Sequence, residues 1–161
     1  MARLTGRRIL ITGISRGIGF ETAKLFLSEG AHLLGVGKDP ERLERARQLL
    51  DPSGERLAVV AADLESPEAT AQIVQAAERR FSGLDVLLNN AGVQIDGDTQ
   101  GFEDNSEKTL ERSLAINLMA PYRLCLALLP LLRRGNEPRI LNVSSGAGTF
   151  AALTESRIAT Y

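Results

Sequence analysis

Apolar residues fall along this chain in short, nearly continuous runs, separated by stretches in which they recur every three or four positions. The runs RRILITG, AHLLGVG, RLAVVAAD, LDVLLNNAG and PRILNVSSG have the length and the branched or leucine-rich content of strands. Their continuity predicts strands covered on both faces. The periodic stretches predict helices. Ile18, Thr22, Leu25 and Phe26 form the expected inward stripe of the first, which Gly30 ends as a left-handed cap. Asp39 before Pro40, and Ser66 before Pro67, place a capping side chain ahead of a proline at the first helical position. Leu43, Ala46 and Leu50, then Ile73, Ala76 and the aliphatic stem of Arg80, supply the next two stripes. A long helix is expected from about Ser106 to Leu132.

Strand and helix alternate five times, so each neighbouring pair of strands has a helix-length return between them. That pattern predicts right-handed crossovers and a parallel, doubly wound α/β sheet. The polar, glycine-containing segment VQIDGDTQGFEDN follows the fourth strand and reads as a functional loop.

Composition narrows the partners. With 161 residues the chain is one domain, spanning 1–161, and 19 basic against 20 acidic residues leave no net field to draw nucleic acid or an anionic membrane. No apolar run is read as long enough to span a bilayer, and the opening MARLTGRRILITG is too short in its apolar part for a secretory signal, so the cytoplasm is the expected compartment. A single Cys125 and a single His32 provide neither an internal disulfide nor a metal-ligand set. His32 opens a strand and Cys125 is read as core. Asn142 begins an Asn-x-Ser match, set aside because its strand is expected to be buried.

The first strand leads through TGISRGIG into the first helix. Gly13 allows a tight turn, Gly17 allows the backbone to approach a pyrophosphate, and Gly19 allows close packing of helix on sheet; the helix N-terminus then offers free N–H groups to phosphates. In this context the loop, Gly13 to Gly19 with Ser15, Arg16 and Ile18 between the glycines, predicts dinucleotide binding and a Rossmann-type, three-layer α/β/α fold. It lacks the Lys-Ser/Thr ending of a P-loop.

The spacing Thr-Gly-x-x-x-Gly-x-Gly at Thr12, Gly13, Gly17 and Gly19, followed in order by NNAG at 89–92, Asn117 and NVSS at 142–145, resembles the short-chain dehydrogenase/reductase family. The resemblance covers about the first two-thirds of a usual member, so the C-terminal part of the usual fold is expected to be missing. It implies that Asn89, Asn90, Ala91 and Gly92 support the cofactor from the fourth strand, and that Asp63 and Leu64 flank the adenine; Asp63 is equally a strand-end turn residue. It further implies homo-oligomers of the full-length protein, formed through the long helix.

An acid at the end of the second strand would bind a ribose 2′-OH and repel a 2′-phosphate. This chain has Gly37 in that slot, Lys38 next to it and Arg16 in the glycine loop, a pair of cations that suits a dianionic phosphate. NADP(H) is therefore the expected cofactor, NAD(H) the less favoured one; the plainer alternative makes both cations solvated surface charges.

Ligands bind beyond the carboxyl ends of parallel strands, which gathers the residues after the first, fourth and fifth strands at one crevice. Reducing a carbonyl needs a polarising hydrogen bond and a proton donor, and a serine and a tyrosine can supply both. The resemblance assigns the first role to Ser145 and the second to Tyr161, the last residue, 16 positions beyond it, with Ser144 satisfying backbone groups. Tyr122, in mid-helix, is not taken as a rival. Pro121 lacks an N–H, so the carbonyl of Asn117 loses its usual helical partner. The resemblance implies that Asn117 carries a water in a proton relay; the alternative is a simple kink in a buried helix. The lysine that should follow Tyr161 is not in the chain, which is expected, if it ends there, to be inactive and to leave its fifth strand an open edge. The function expected of the parent protein is hydride transfer between NADP(H) and a small carbonyl or alcohol, the alternative a non-catalytic NADP-binding protein.

Overall fold

Five parallel strands, β1 (Arg8–Thr12), β2 (His32–Gly37), β3 (Leu57–Ala61), β4 (Val86–Asn89) and β5 (Arg139–Asn142), lie in the order β3-β2-β1-β4-β5 in a computed structural model that describes residues 2–94 and 106–145. The chain runs outward from β1 through β2 to β3, then returns to lay β4 and β5 on the other side. Strand order therefore reverses between β1 and β4, and a crevice opens there beyond their carboxyl ends.

Helices cover the two faces. Helices α1 (Gly17–Ser28) and α2 (Pro40–Leu50) pack over Ile9, Ile11, Leu33 and Leu57, while α3 (Glu68–Arg80) and α5 (Ala120–Leu132) pack over Leu10, Leu34, Val36 and Leu87. The alternation along β1 shows the reason: Ile9 and Ile11 point to one layer, Leu10 to the other, and all three are wholly buried. The doubly wound, three-layer architecture is that expected from the pattern.

The local signals hold at most ends. The Asp39 carboxylate accepts the Arg42 N–H at 3.0 Å to cap α2. Gly30, at φ +88°, closes α1 with the paired bonds of a Schellman turn, Ala31 N–H to the Phe26 carbonyl and Gly30 N–H to that of Leu27. Pro67 has helical dihedral angles and the Ser66 hydroxyl accepts the Glu68 N–H, so Ser66 performs the capping although the regular bonds of α3 begin at Glu68. His32 is half-buried at the start of β2, as expected.

Four expectations need correction. The inward stripe of α1 is Gly19, Ala23 and Leu27; Ile18 and Leu25 are exposed, because small residues face the sheet where helix and strands approach closely. Burial on both faces holds for β1 and β2 but fails for β5, whose four residues are all exposed, so the Asn142 strand is not a buried one. The long helix spans Glu107–Leu132 as expected, but is not uniform: α4 (Glu107–Leu114), capped by Ser106, passes into a π-helical segment (Ala115–Met119) before α5. Finally, this 26-residue helix is long and apolar enough, by length and composition, to cross a membrane, with mean hydropathy 1.6 over its best window. One of its faces is instead in the core through Leu124, Leu128 and Leu131. Most of the expected loop, residues 95–105, lies outside the described residues.

The amino-terminal edge of the sheet is tied by Asp85, a carboxylate almost wholly buried. It accepts the Arg8 N–H at 2.8 Å, the Arg8 guanidinium at 2.8 and 3.1 Å, and the Asn136 N–H at 2.6 Å, joining β1, β4 and the approach to β5. Burial alone would raise its pKa. The bonds from Arg8 and Asn136 outweigh that and hold it at about 2, below the ordinary 3.8. A folded-state pKa below the unfolded one means stability that is present above about pH 4 and lost as pH falls toward 2, worth about 2 kcal/mol. Unfolding measured across that pH range should therefore show a loss about 2 kcal/mol smaller for Asp85→Asn than for the wild type; parallel pH dependences would contradict this account of the knot.

Candidate functional site

The turn out of β1 is fastened to the turn out of β4. Thr12 Oγ1 accepts the N–H groups of both Asn90 and Ala91 at 3.0 Å, and the Asn90 amide donates back to the carbonyls of Thr12 at 2.9 Å and Gly13 at 3.3 Å. Gly13 must be glycine twice over: its φ is +77°, and a Cβ there would meet the Ala91 Cα at 3.0 Å. At Gly19 a Cβ would lie 2.2 Å from the Gly13 carbonyl oxygen and 2.5 Å from the Asn90 amide. The close approach expected of Gly19 is thus to the loop's own carbonyl and its lock as much as to the sheet.

Gly17 differs. Its φ is +58°, but nothing stands within 4 Å of a would-be Cβ, so the loop there faces open space. Arg16 forms the N-cap of α1 in an extended conformation with no side-chain capping bond, and the first turn carries no acid. The helix therefore presents an uncapped N-terminus to the crevice, the arrangement that receives phosphate oxygens. Ser15 sits over the end of β2, where a Cβ on Gly37 would come within 2.6 Å of its hydroxyl. A larger residue in that slot would have to displace the Ser15 hydroxyl and the end of the Leu43 side chain.

The opposite wall comes from the long helix and β5. Inside the π segment, Asn117 makes a strand-like pair with the loop after β4: Oδ1 accepts the Val93 N–H at 2.9 Å and Nδ2 donates to the Val93 carbonyl at 2.8 Å. The buried Ser113 hydroxyl accepts the other amide proton at 3.2 Å, which orients the group. Pro121, four residues on, offers no N–H to the main-chain carbonyl of Asn117. Asn89, also buried, donates to Asn142 Oδ1 at 2.8 Å and approaches Cys125 Sγ at 3.6 Å; its own Oδ1 has no hydrogen-bond partner among the described residues. The crevice of about 900 Å³ between these walls is lined by Ile18, Asn90 to Gln94, Asn117, Ser144 and Ser145. Tyr122, Cys125 and Asn142 line it too. Cys125 is half-buried, packed against the core on one side and bordering the crevice on the other. Tyr122, in a helix as expected, is exposed on the crevice wall.

At the far end, Lys38 and Asp63 leave β2 and β3 side by side. Lys38 Nζ lies 2.7 Å from Asp63 Oδ2 and 3.9 Å from Glu65, which in turn meets the Arg112 guanidinium of α4 at 3.1 Å. Burial pushes the Asp63 carboxyl up, but the Lys38 ammonium and the Glu65 N–H more than offset it and hold its pKa below the usual range. Leu64 packs half-buried against the core.

The fold thus brings Gly13, Ser15, Arg16, Gly17, Ile18, Gly19, Asn90, Ala91, Gly92, Asn117 and Ser145 to one edge of the sheet, with Lys38, Asp63 and Leu64 beside it. Tyr161 lies outside the described residues. Thr12, Val93 and Ser113, which hold the site together, were not singled out as site residues; only the threonine's place before the first glycine signalled one of them.

A parallel sheet with an open glycine and an uncapped helix N-terminus at its switch point defines a dinucleotide-binding fold, and the cradle fits a pyrophosphate. Residues 7–157 match the profile of the short chain dehydrogenase family. The chain belongs to that family of oxidoreductases, whose fold it shares. A (+)-neomenthol dehydrogenase from Arabidopsis thaliana is 30% identical over 92% of the chain and 56% of its own length. A short-chain dehydrogenase from Escherichia coli CFT073, solved with NADPH, superposes with TM-score 0.82 at 29% identity, covering 91% of this chain and 62% of that one. L-Sorbose reductase from Gluconobacter frateurii, solved with NADPH and L-sorbose, gives TM-score 0.81 at 31% identity, with 91% and 55% covered. The chain spans little more than half the length of these relatives.

The two glycines should respond differently to alanine. Gly19→Ala forces backbone apart and is expected to cost about 1–3 kcal/mol in chemical denaturation, whereas Gly17→Ala meets only the left-handed backbone penalty of about 1–2 kcal/mol. A Gly19→Ala protein as stable as wild type would show that the lock has slack.

Proposed function

We propose that the chain carries the cofactor-binding part of an enzyme that transfers a hydride between NADP(H) and a small carbonyl or alcohol. The observation that carries this reading is the glycine loop itself: the Thr12–Asn90 lock holds an uncapped helix N-terminus open at the switch point, across the same crevice from Asn117, Ser144 and Ser145. Gly13, Ser15, Gly17, Ile18 and Gly19 would hold the pyrophosphate, Ala91 and Gly92 the nicotinamide half, and Asp63 and Leu64 the adenine. Asn90 serves by keeping the loop in shape.

When bound, the nicotinamide supplies or accepts the hydride. Ser145 donates a hydrogen bond to the substrate oxygen and Tyr161 delivers the proton. The main-chain carbonyl of Asn117, which gets no N–H from Pro121, would hold a water that connects this proton to solvent. The preference for NADP(H) over NAD(H) is supported by Gly37, which puts no acid at the end of β2, by Lys38 next to it and by Arg16 in the glycine loop. Asp39, two residues beyond Gly37, is spent on the Arg42 N–H.

A second element of the reading concerns self-association. Leu110, Leu114, Leu118, Tyr122 and Leu126 recur every four residues as an exposed apolar stripe along the long helix. That stripe fits a homo-oligomeric contact.

In the full-length protein, Tyr161→Phe is expected to lower kcat by roughly 10²–10⁴-fold and Ser145→Ala by roughly 10²–10³-fold, with NADPH affinity in calorimetry little changed. Undiminished turnover would refute the assigned roles, and NADPH binding without turnover of any carbonyl would leave only a binding protein. Light scattering should show Leu118→Glu lowering the oligomeric mass; an unaltered mass would remove the stripe from the contact.

A further inference from the structure

We propose that Asp63 competes with a cofactor's 2′-phosphate for Lys38, and thereby sets how sharply the site distinguishes NADP(H) from NAD(H). The inference rests on the reading that the crevice binds a nicotinamide dinucleotide, and goes beyond it by naming a residue of the chain that works against the favoured cofactor.

Sheet register creates the competition. Gly37 pairs with Ala61, and the Ala62 N–H donates to the Gly37 carbonyl at 2.9 Å, so β2 and β3 end level with each other. Lys38 and Asp63 then emerge as neighbours, and their charged atoms meet at 2.7 Å. The ribose 2′ position is read at the end of the second strand in this kind of fold, and Lys38 stands next to Gly37 in that slot. The cation at that position is therefore already held by a carboxylate, and with Glu65 and Arg112 the local group comprises two cations and two anions.

A 2′-phosphate must draw the Lys38 ammonium away from Asp63 to use its charge. A 2′-hydroxyl makes no such demand and leaves the pair intact. The pair thus weakens binding of the phosphorylated cofactor selectively. Both partners are well exposed, at 59% and 39%, so the effect is that of a solvated ion pair and not of a buried one. Glu65 contributes less, because it stands 3.9 Å from Lys38 and is engaged by Arg112.

Asp63→Asn is the informative change, since the amide oxygen can still accept the Glu65 N–H that Asp63 Oδ1 now takes at 3.2 Å. Dissociation constants for NADPH and NADH should be measured by calorimetry on the wild type, Asp63→Asn, Lys38→Met and the double variant, with thermal melts confirming folded protein. Contacts to the adenine are common to both cofactors, so they cancel in the ratio of the two constants. The expected result is a preference for NADPH that rises roughly two- to fivefold in Asp63→Asn, while the same substitution made together with Lys38→Met leaves the ratio at the value of Lys38→Met alone. An equal rise with and without Lys38 would mean simple repulsion by the Asp63 charge and would overturn the proposal. So would an unchanged ratio in a protein that binds both nucleotides, and this outcome leaves the functional reading standing. A folded wild-type protein that binds neither overturns both.

Discussion

The hydroxyl of one buried threonine holds the site together. Thr12 accepts two backbone N–H groups from the turn after β4, and the Asn90 amide returns two bonds to the carbonyls beside it. These four bonds join the strands on either side of the point where strand order reverses, the one place where a parallel sheet of this kind opens. Every other feature of the crevice is placed relative to that seam: the open backbone at Gly17, the uncapped start of α1, and, through Val93, the amide of Asn117. Glycine at 13 and 19 follows as a steric corollary, because each lies against the seam's own atoms.

The two ends of the sheet are held by different means. At the amino-terminal edge a buried carboxylate, Asp85, satisfies donors from two other segments, at Arg8 and Asn136, in fixed geometry. At the carboxyl edge the charges are exposed, paired pliably, and able to exchange partners, as the Lys38, Asp63, Glu65 and Arg112 group illustrates. The buried, fixed knot and the exposed, solvated charges are thereby kept at opposite ends of the strands.

Much of this was legible from the residues. Five apolar runs separated by amphipathic segments predicted the five strands and their parallel arrangement, and capping residues marked the ends of helices within a residue or so. The misreadings have physical causes. Hydrophobicity pointed Ile18 and Leu25 inward, but close packing rewards small residues, so Gly19 and Ala23 face the sheet and Ile18 borders the crevice. A run such as RILNV looks the same whether or not neighbours cover it, and the exposure of β5 depends on what packs beside it. Lys38 and Asp63 looked like independent residues with separate ligand roles, because only strand register brings them together. The grip of Asn117 on Val93 was hidden for a similar reason: it depends on a local change of helical type that composition does not announce.

That change of type constrains the length of the chain itself. A π turn accommodates one residue more than an α turn, so α4 and α5 are joined out of phase, with Leu124, Leu128 and Leu131 of α5 seated in the core and Asn117 directed at the loop. Removing one residue between Ala115 and Met119 would leave an unbroken α-helix of ordinary appearance. The helices on either side would keep their facing, because the residue lost is the one the wide turn accommodates, but the turn that sets the asparagine against Val93 would be gone. In this protein a single-residue deletion at that point would spare the leucine packing of α5 and dismantle only the wide loop of backbone on which Asn117 is carried.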